Sequence, residues 1–281
     1  MSFTQANAYN EYMAAPKQRV RMVKTASRTV VSTIAFSVFD LAGNPGGGTL
    51  AGTSTANGVC PTDATAGCPT IEYTSGNTYL SRIEFGSSVA CRLAIHDMLF
   101  KAGAYAYTAG TTSLSSQPVL SQRCPDYPGS GNIFGARNEI WIEVSTAFVT
   151  GTAWQVNVTY TNQSGTTGKT AIISTAQAAA ALTLGKMFQL GLASGDTGVQ
   201  KIESVIVTNG GTAMTAGAFN VLITRPVYTS MRMMVANDGD IHDLLKTGLP
   251  PVYNDSALIM MVQADSTASG IPELTLELVN V

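Results

Sequence analysis

The sequence predicts an all-β fold, an antiparallel β-sandwich or jelly roll, with an extended N-terminal arm and one short late helix. Three observations predict it. Residues 138–144 (NEIWIEV) and 154–160 (WQVNVTY) alternate apolar and polar side chains, the period of strands with one buried face. About ten short segments of this kind are separated by Gly and Asn turns, the spacing of antiparallel sandwiches. Helical periodicity is confined to a few turns, which sets aside helical and α/β architectures.

In chain order, residues 3–15 predict a short helix. Ser2 is its cap, Phe3, Tyr9, Tyr12 and Met13 share a face, and Pro16 limits it. Residues 17–29 read as basic and irregular, so 1–28 is expected to be an arm and 29–281 the β body, with a sub-boundary near 125–137. Residues 30–41 (VVSTIAFSVFDL) are β-branched and aromatic and read as a strand. Residues 39–71 are mostly Gly, Ala, Thr, Asn and Pro, and their only charges are Asp40 and Asp63. Such a stretch cannot build a core of its own and must lie against the following domain or a neighbouring molecule.

Residues 78–85 read as a strand, and 89–100 as a strand ending in a short helical turn. Residues 101–137 read as loop, with Cys124-Pro125, Pro128-Gly129 and Gly131 as breakers. In 138–144, Ile140, Ile142 and Val144 face one way and Glu139, Trp141 and Glu143 the other. Residues 169–174 (KTAIIS) are the expected hairpin partner of 154–160. Residues 175–184 predict one helical turn or a loop. Strands are expected at 186–190, 200–208, 218–224, 257–263 and 273–279. Asp240 is expected to cap a helix over 241–247, which Gly248 and Pro250-Pro251 stop.

Hydrophobic residues make up 45% of the chain and charged residues 12%. The first figure permits a large core; the second is about half the usual share. A neutral polar surface suits contacts that stay buried in an assembly, and equally a stable extracellular β protein. The net charge of −2 is unevenly spread. Residues 1–30 hold Lys17, Arg19, Arg21, Lys24 and Arg28 against Glu11 alone, which suits docking on an acidic surface. Five cations without interleaved aromatics do not make a nucleic-acid signature. There is no apolar run of 18 residues and no signal-peptide pattern at the N-terminus, so the chain is expected to be made and kept in the cytoplasm, without membrane partners. Cys60, Cys68, Cys91 and Cys124 lack zinc-site spacing. Cys60 and Cys68 are spaced for a small disulfide, but thiols in a reducing cytosol are the simpler reading.

Residues 163–170 (QSGTTGKT) have Gln where a phosphate loop needs Gly and lie between two strands, so a hairpin turn is expected. Asp238, Asp240, His242 and Asp243 gather hard ligands, but Asn237-Asp238-Gly239 is ordinary turn chemistry and the EF-hand pattern is absent. No metal or other cofactor is predicted. His96 and His242 each precede an aspartate, yet no nucleophile motif accompanies them. Two carboxylates among Glu139, Glu143 and Asp126 are the remaining route to catalysis, as a glycosidase pair. The sequence therefore predicts no enzyme. Trp141 is a sugar platform, an interface anchor or part of a second buried face. Met231, Met233, Met234, Met260 and Met261 read as core filler ahead of adaptable interface.

Phe39-Asp40-Leu41-Ala42-Gly43-Asn44-Pro45 and the run from Gly58 to Gly67 (GVCPTDATAG) resemble a segment of virion-associated proteins of tailed bacteriophages. The runs 141–144 (WIEV), 158–163 (VTYTNQ), 195–200 (GDTGVQ) and 202–205 (IESV) are similar to the same group. The resemblance implies a structural component of a phage particle. The major shell protein of that group carries a long helix, which is not predicted here. The implied role is thus a head accessory protein, a cement or decoration protein on the capsid of the virion. Its implied partners are the major capsid protein and copies of itself, in a homo-oligomer or lattice. Tail, neck or baseplate components and carbohydrate- or receptor-binding modules are the alternatives. The expected assembly contacts are Phe3, Tyr9, Tyr12, Lys17, Arg19, Arg21, Lys24, Arg28 and Trp141.

Overall fold

The computed structural model describes residues 12, 14–114, 117, 120, 135–173 and 175–281. In chain order the strands are β1 (Lys17–Lys24), β2 (Ala35–Ser37), β3 (Gly43–Asn44), β4 (Ser54–Val59), β5 (Thr78–Ser87), β6 (Cys91–Ala106), β7 (Gly110–Ser113), β8 (Glu139–Val149) and β9 (Trp154–Asn162). They continue with β10 (Lys169–Ile172), β11 (Met187–Gln189), β12 (Val199–Asn209), β13 (Ala216–Thr229), β14 (Asp238–His242), β15 (Pro251–Val252), β16 (Leu258–Ala264) and β17 (Pro272–Asn280). Among the described residues, a 3-10 turn (Ala179–Ala181) and a short helix, α1 (Leu244–Thr247), stand beside these strands. The fold is all-β and antiparallel, as the sequence predicts.

The strands form three sheets. A central sheet of seven runs β11-β8-β13-β6-β16-β2, with β4 paired to β6. A sheet of six runs β14-β5-β17-β1-β3, with β15 paired to β5, and a sheet of four runs β10-β9-β12-β7. β6 and β13 are long enough to serve two cores. Leu99, Phe100 and Tyr105 of β6 join Phe219, Val221 and Ile223 of β13 under the four-stranded sheet, around the buried Trp154, Val156, Val158 and Tyr160 of β9. Cys91, Leu93 and Ile95 of β6 join Val227 and Tyr228 of β13 under the six-stranded sheet, against Leu80, Ile83, Leu274, Leu276 and Leu278.

The alternate residues of the central sheet face the other way. Met98, Met187, Leu222, Ile259 and Met261 form a third cluster, completed by Phe39, Leu50 and Cys68. The Gly-rich stretch therefore lies over the back of the central sheet. Close approach explains its glycines. A Cβ on Gly52 would stand 2.0 Å from the Gly103 backbone, and one on Gly48 would stand 2.2 Å from the Phe39 ring. With both faces covered, β13 reads as a near-continuous buried run from Phe219 to Arg225.

The structure corrects several sequence expectations. Residues 17–24 are not irregular. β1 pairs with β17 from Lys17↔Val279 to Val23↔Glu273, burying Gln18, Val20, Met22 and Lys24 and exposing Lys17, Arg19 and Arg21. Of the predicted strand 30–41, only Ala35–Ser37 pairs in a sheet, with β16. β6 continues to Ala106 without a helical turn. Asp240 lies in β14, and Asp243 caps α1 instead. Its carboxylate accepts from the Leu245 and Lys246 amides, and Gly248 ends the helix at φ 69°. Most of the predicted N-terminal helix and the breakers around Cys124 lie outside the described residues.

β1 also decides how the N-terminal region responds to truncation. The arm reading expects a folded body after deletion of residues 1–28; the register of β1 reverses that. Deletion removes seven pairings with β17 and the buried Val20 and Met22. Each buried apolar side chain is worth about 2–3 kcal/mol. The truncated chain is expected to lose cooperative thermal unfolding in circular dichroism. An unchanged melting transition would show that the six-stranded sheet closes without β1.

Candidate functional site

The expected assembly residues divide into two groups. Lys17, Arg19 and Arg21 project from the outer face of β1. Arg19, with its side chain 66% exposed, reaches Glu277 at only 3.9 Å. Tyr12 anchors the chain entering β1: its hydroxyl donates to Glu277 Oε1 at 2.5 Å, and Lys17 Nζ sits 4.5 Å from its ring centroid. Lys24 and Arg28 are committed inward. Lys24 Nζ donates to the Leu41 carbonyl at 3.0 Å. Burial pushes its pKa down, and the Asp40 carboxylate partly opposes that shift. Arg28 donates to both Asp40 oxygens at 2.5 and 2.6 Å and to the Ser37 carbonyl at 3.1 Å. These two cations pin the start of the Gly-rich stretch. Phe3 and Tyr9 lie outside the described residues.

Trp141 is half-buried on the back of the central sheet. Its Nε1 donates to Glu139 Oε2 at 2.8 Å, and its ring meets His96 edge-on at 5.8 Å. They line a cleft with Arg92, Gln189 and Gln263. His96 Nδ1 is 3.0 Å from the Thr224 hydroxyl and 3.9 Å from Glu139. Burial lowers the His96 pKa to about 4. Burial also raises that of Glu139, against hydrogen bonds from Trp141 and Gln189. Glu143, the other described member of the carboxylate set, is fully enclosed and bonded to Lys101 and Asn220. Asp126 lies outside the described residues.

The aspartate cluster does not converge. Asp238 accepts from Gly239 N, Asp240 from Ile241 N, and Asp243 caps α1. His242 lies between Asp240 and the Tyr228 hydroxyl. Among the described residues no group of three His, Cys, Asp or Glu side chains is placed to hold a metal ion. Residues 163–168 form the β9–β10 hairpin turn, where Asn162 Oδ1 accepts from the Ser164 and Thr166 amides.

A surface missed by sequence reasoning stands out beside these. Met231, Met234, Val235, Ile241, Leu245 and Ile271 are 45–84% exposed. Four of them fall between β13 and the end of β14, and Leu245 follows on α1. Ile241 and Ile271 flank an open groove lined by Glu84, Asp238, Asp240 and Glu273. Of the five methionines read as filler, Met233, Met260 and Met261 are buried, whereas Met231 and Met234 are 69% and 72% exposed. The one available signal was an irregular, turn-rich run, 230–240, carrying apolar side chains without strand alternation. The outer face of the six-stranded sheet is thus basic along β1 and acidic toward β14.

No protein-family model matches the chain, and no curated protein matches it in sequence. Among solved structures it is similar to a chain of T=1 particles derived from infectious bursal virus, at 9% identity and a TM-score of 0.20 over 95% of this chain and 78% of that one. It is similar to the VP2 subviral particle of infectious bursal disease virus, at 11% identity and 0.22 over 95% and 81%. It is also similar to the capsid of Penaeus monodon metallodensovirus after EDTA treatment, at 5% and 0.18 over 100% and 78%. At TM-scores this low the likeness transfers neither fold nor function to this chain.

His96 sets an expected pH response. Its folded pKa of about 4 lies below its ordinary 6.5, so the unfolded chain binds the proton more readily. Its contribution to stability is complete above pH 6.5 and is lost as pH falls toward 4, up to about 3 kcal/mol. Glu139, with its raised pKa, acts in the opposite sense. The melting temperature is expected to fall between pH 6.5 and 4.5, less steeply in His96→Gln and more steeply in Glu139→Gln. Equal slopes in all three proteins, measured by calorimetry, would remove His96 from the account.

Proposed function

We propose that this chain is a non-enzymatic structural protein of a tailed-phage particle. In this reading it is a cement or decoration protein that stabilises the shell, with the major capsid protein and copies of itself as partners. The observation that carries the proposal is the set of exposed large apolar side chains Met231, Met234, Val235, Ile241 and Leu245, close together in the chain, with Ile241 and Ile271 flanking one open groove, on a chain with only 12% charged residues. Large exposed apolar side chains beside an open groove suit a protein contact, and methionine adapts its shape to a partner. Covering about 100 Å² of apolar surface is worth about 2.5 kcal/mol, so a few such side chains govern association in a repeated contact.

The charge pattern supports the same reading. Lys17, Arg19 and Arg21 stand near one edge of the outer sheet face, and Glu84, Glu273, Asp238 and Asp240 toward the other. Surfaces of opposite sign orient neighbouring copies and suppress wrong registers. The resemblance of residues 39–45, 58–67, 141–144, 158–163, 195–200 and 202–205 to virion-associated phage proteins supplies the particle.

The deciding measurement is copy number in gradient-purified particles by quantitative mass spectrometry. Hundreds of copies in fixed ratio to the main shell protein are expected. A few dozen or fewer would move the protein to the neck or tail, and its absence would end the virion reading. The double variant Met234→Asp/Leu245→Asp is expected to keep the wild-type melting temperature and to load onto particles at least about tenfold less. Unchanged loading would show that these side chains are not the contact.

A further inference from the structure

Three buried side chains on adjacent strands of the central sheet are arranged as reactants. Lys101 is on β6, Asn220 on β13 and Glu143 on β8, and β13 lies between the other two. Asn220 stands opposite Glu143, and Leu222, two residues along the same strand, stands opposite Lys101. Lys101 Nζ is 3.3 Å from Glu143 Oε2. Asn220 Nδ2 donates to the same oxygen at 3.0 Å. An amine and a carboxamide therefore meet at a single carboxylate oxygen.

The surroundings are those of a reaction site. Asn220 is 0% exposed, Glu143 2% and Lys101 6%, and Phe39 lies over the amine at 5.6 Å. Water that would hydrolyse an intermediate is thereby kept out. Asn220 Oδ1 has no hydrogen-bond partner among the described residues. It occupies the space left by Gly103, where a Cβ would approach it to 2.2 Å. Native proteins seldom leave a buried amide oxygen unsatisfied without a reason. A structural role for the trio exists, since Lys101 donates to the Thr49 carbonyl and Asn220 to that of Leu50. Glu143 also supplies the counter-charge that buried Lys101 needs in such a role; the unsatisfied Asn220 Oδ1 is what that role leaves unexplained.

We propose that Lys101 and Asn220 join in an intramolecular isopeptide bond, with Glu143 as the catalytic residue. Glu143 takes a proton from the Lys101 ammonium. The freed amine attacks Asn220 Cγ and forms the Nζ–Cγ bond. In the tetrahedral intermediate Glu143 returns its proton to Nδ2 and takes one from Nζ. The Cγ–Nδ2 bond breaks and ammonia leaves. The proton remaining on Glu143 departs with it as ammonium, so the balance is one ammonium released and one amide formed, without oxidant or cofactor. Enclosure in a folded sheet holds the reactants together and supplies the effective concentration that an uncatalysed amide exchange lacks. The product ties β6 to β13, the two strands that serve both cores, and closes a covalent ring over residues 101–220.

The test is the intact mass of the purified full-length protein. It is expected to be about 17 Da below the sequence mass, by loss of one ammonia. Proteolysis is expected to yield a branched peptide joining Lys101 to Asn220, and the denatured chain to migrate ahead of an unlinked one. Succinimide formation at Asn57-Gly58 or Asn209-Gly210 gives the same mass loss, so the linked peptide is the required evidence. Asn220→Ala and Glu143→Gln are expected at their full sequence masses, with folding checked by circular dichroism. Folded wild-type protein at full sequence mass, or a mass loss mapping only to the Asn-Gly sites, would overturn the proposal. Linkage persisting at the wild-type rate in folded Glu143→Gln would remove Glu143 from it. If the variants fail to fold, the presence or absence of the branched peptide in wild-type protein still decides.

Discussion

Covering the back of the central sheet is the constraint on which the rest of the structure depends. That face carries Met98, Leu222 and Ile259 beside Lys101, Glu143 and Asn220, so it can be left neither to water nor to a purely apolar layer. The layer provided is a stretch of Gly, Ala and Thr with few large apolar side chains of its own. Polar anchors hold it down: Arg28 on Asp40, Lys24 on the Leu41 carbonyl, Lys101 on Thr49, Asn220 on Leu50 and Tyr105 on Thr55. Buried charges cost several kcal/mol each unless paired, and here each charge has a carboxylate or carbonyl within reach. The same bonds that satisfy the sheet's polar side chains satisfy the carbonyls of the covering stretch. Each half of this contact removes a penalty from the other.

That arrangement explains how one long sheet supports two cores. β6 and β13 pass beneath both outer sheets, and bulges between Phe219 and Val221, Ile223 and Thr224, and Pro226 and Tyr228 adjust which side chains point to each core. A sheet covered on both faces tolerates few changes in register, because a slip of one residue would turn Lys101 and Asn220 into the cores. The polar trio on the back face thus fixes register where the hydrophobic pattern, apolar on both faces, does not. The N-terminal strand acts in a similar way at the other sheet, where Gln18 binds both the Thr70 carbonyl and the Glu72 amide. It ties β1 to the end of the covering stretch.

Legibility in the sequence followed apolar–polar alternation. β8, β9, β12 and β17 were readable because apolar and polar residues alternate along part of each, although Glu143 of β8 and Glu277 of β17 are themselves buried. β1 carries the same alternation, with Gln18, Val20 and Met22 inward and Lys17, Arg19 and Arg21 outward, but the density of positive charge read as a solvated arm. β6 was harder because its apolar character extends to both faces. The helix cap was misplaced by three residues because Asp240 and Asp243 offer the same chemistry, and only the pairing of β14 with β5 separates them. The basic residues were visible as a set, but their division into outward and inward groups depends on Asp40 and Leu41 being brought to Arg28 and Lys24 by the fold. Similarly, the turn-rich run 230–240 marks the exposed apolar side chains only as a group, since Met233 is buried between exposed Met231 and Met234.

Charge placement links the interior to the surface. Several of the chain's few ionic groups lie inside, with Lys24, Arg28, Asp97, Lys101, Glu143 and Arg225 spent on internal partners. On the outer face of the six-stranded sheet the exposed charges are basic along β1 and acidic at the β14 groove, while others, such as Arg92, Lys201 and Asp255, stand elsewhere on the surface. Soluble proteins usually keep most of their charge at the surface; here a share of it holds the covering layer against the central sheet. The demand for a stable, doubly covered sheet therefore draws ionic side chains inward, to the carboxylates and carbonyls that hold the covering layer in place.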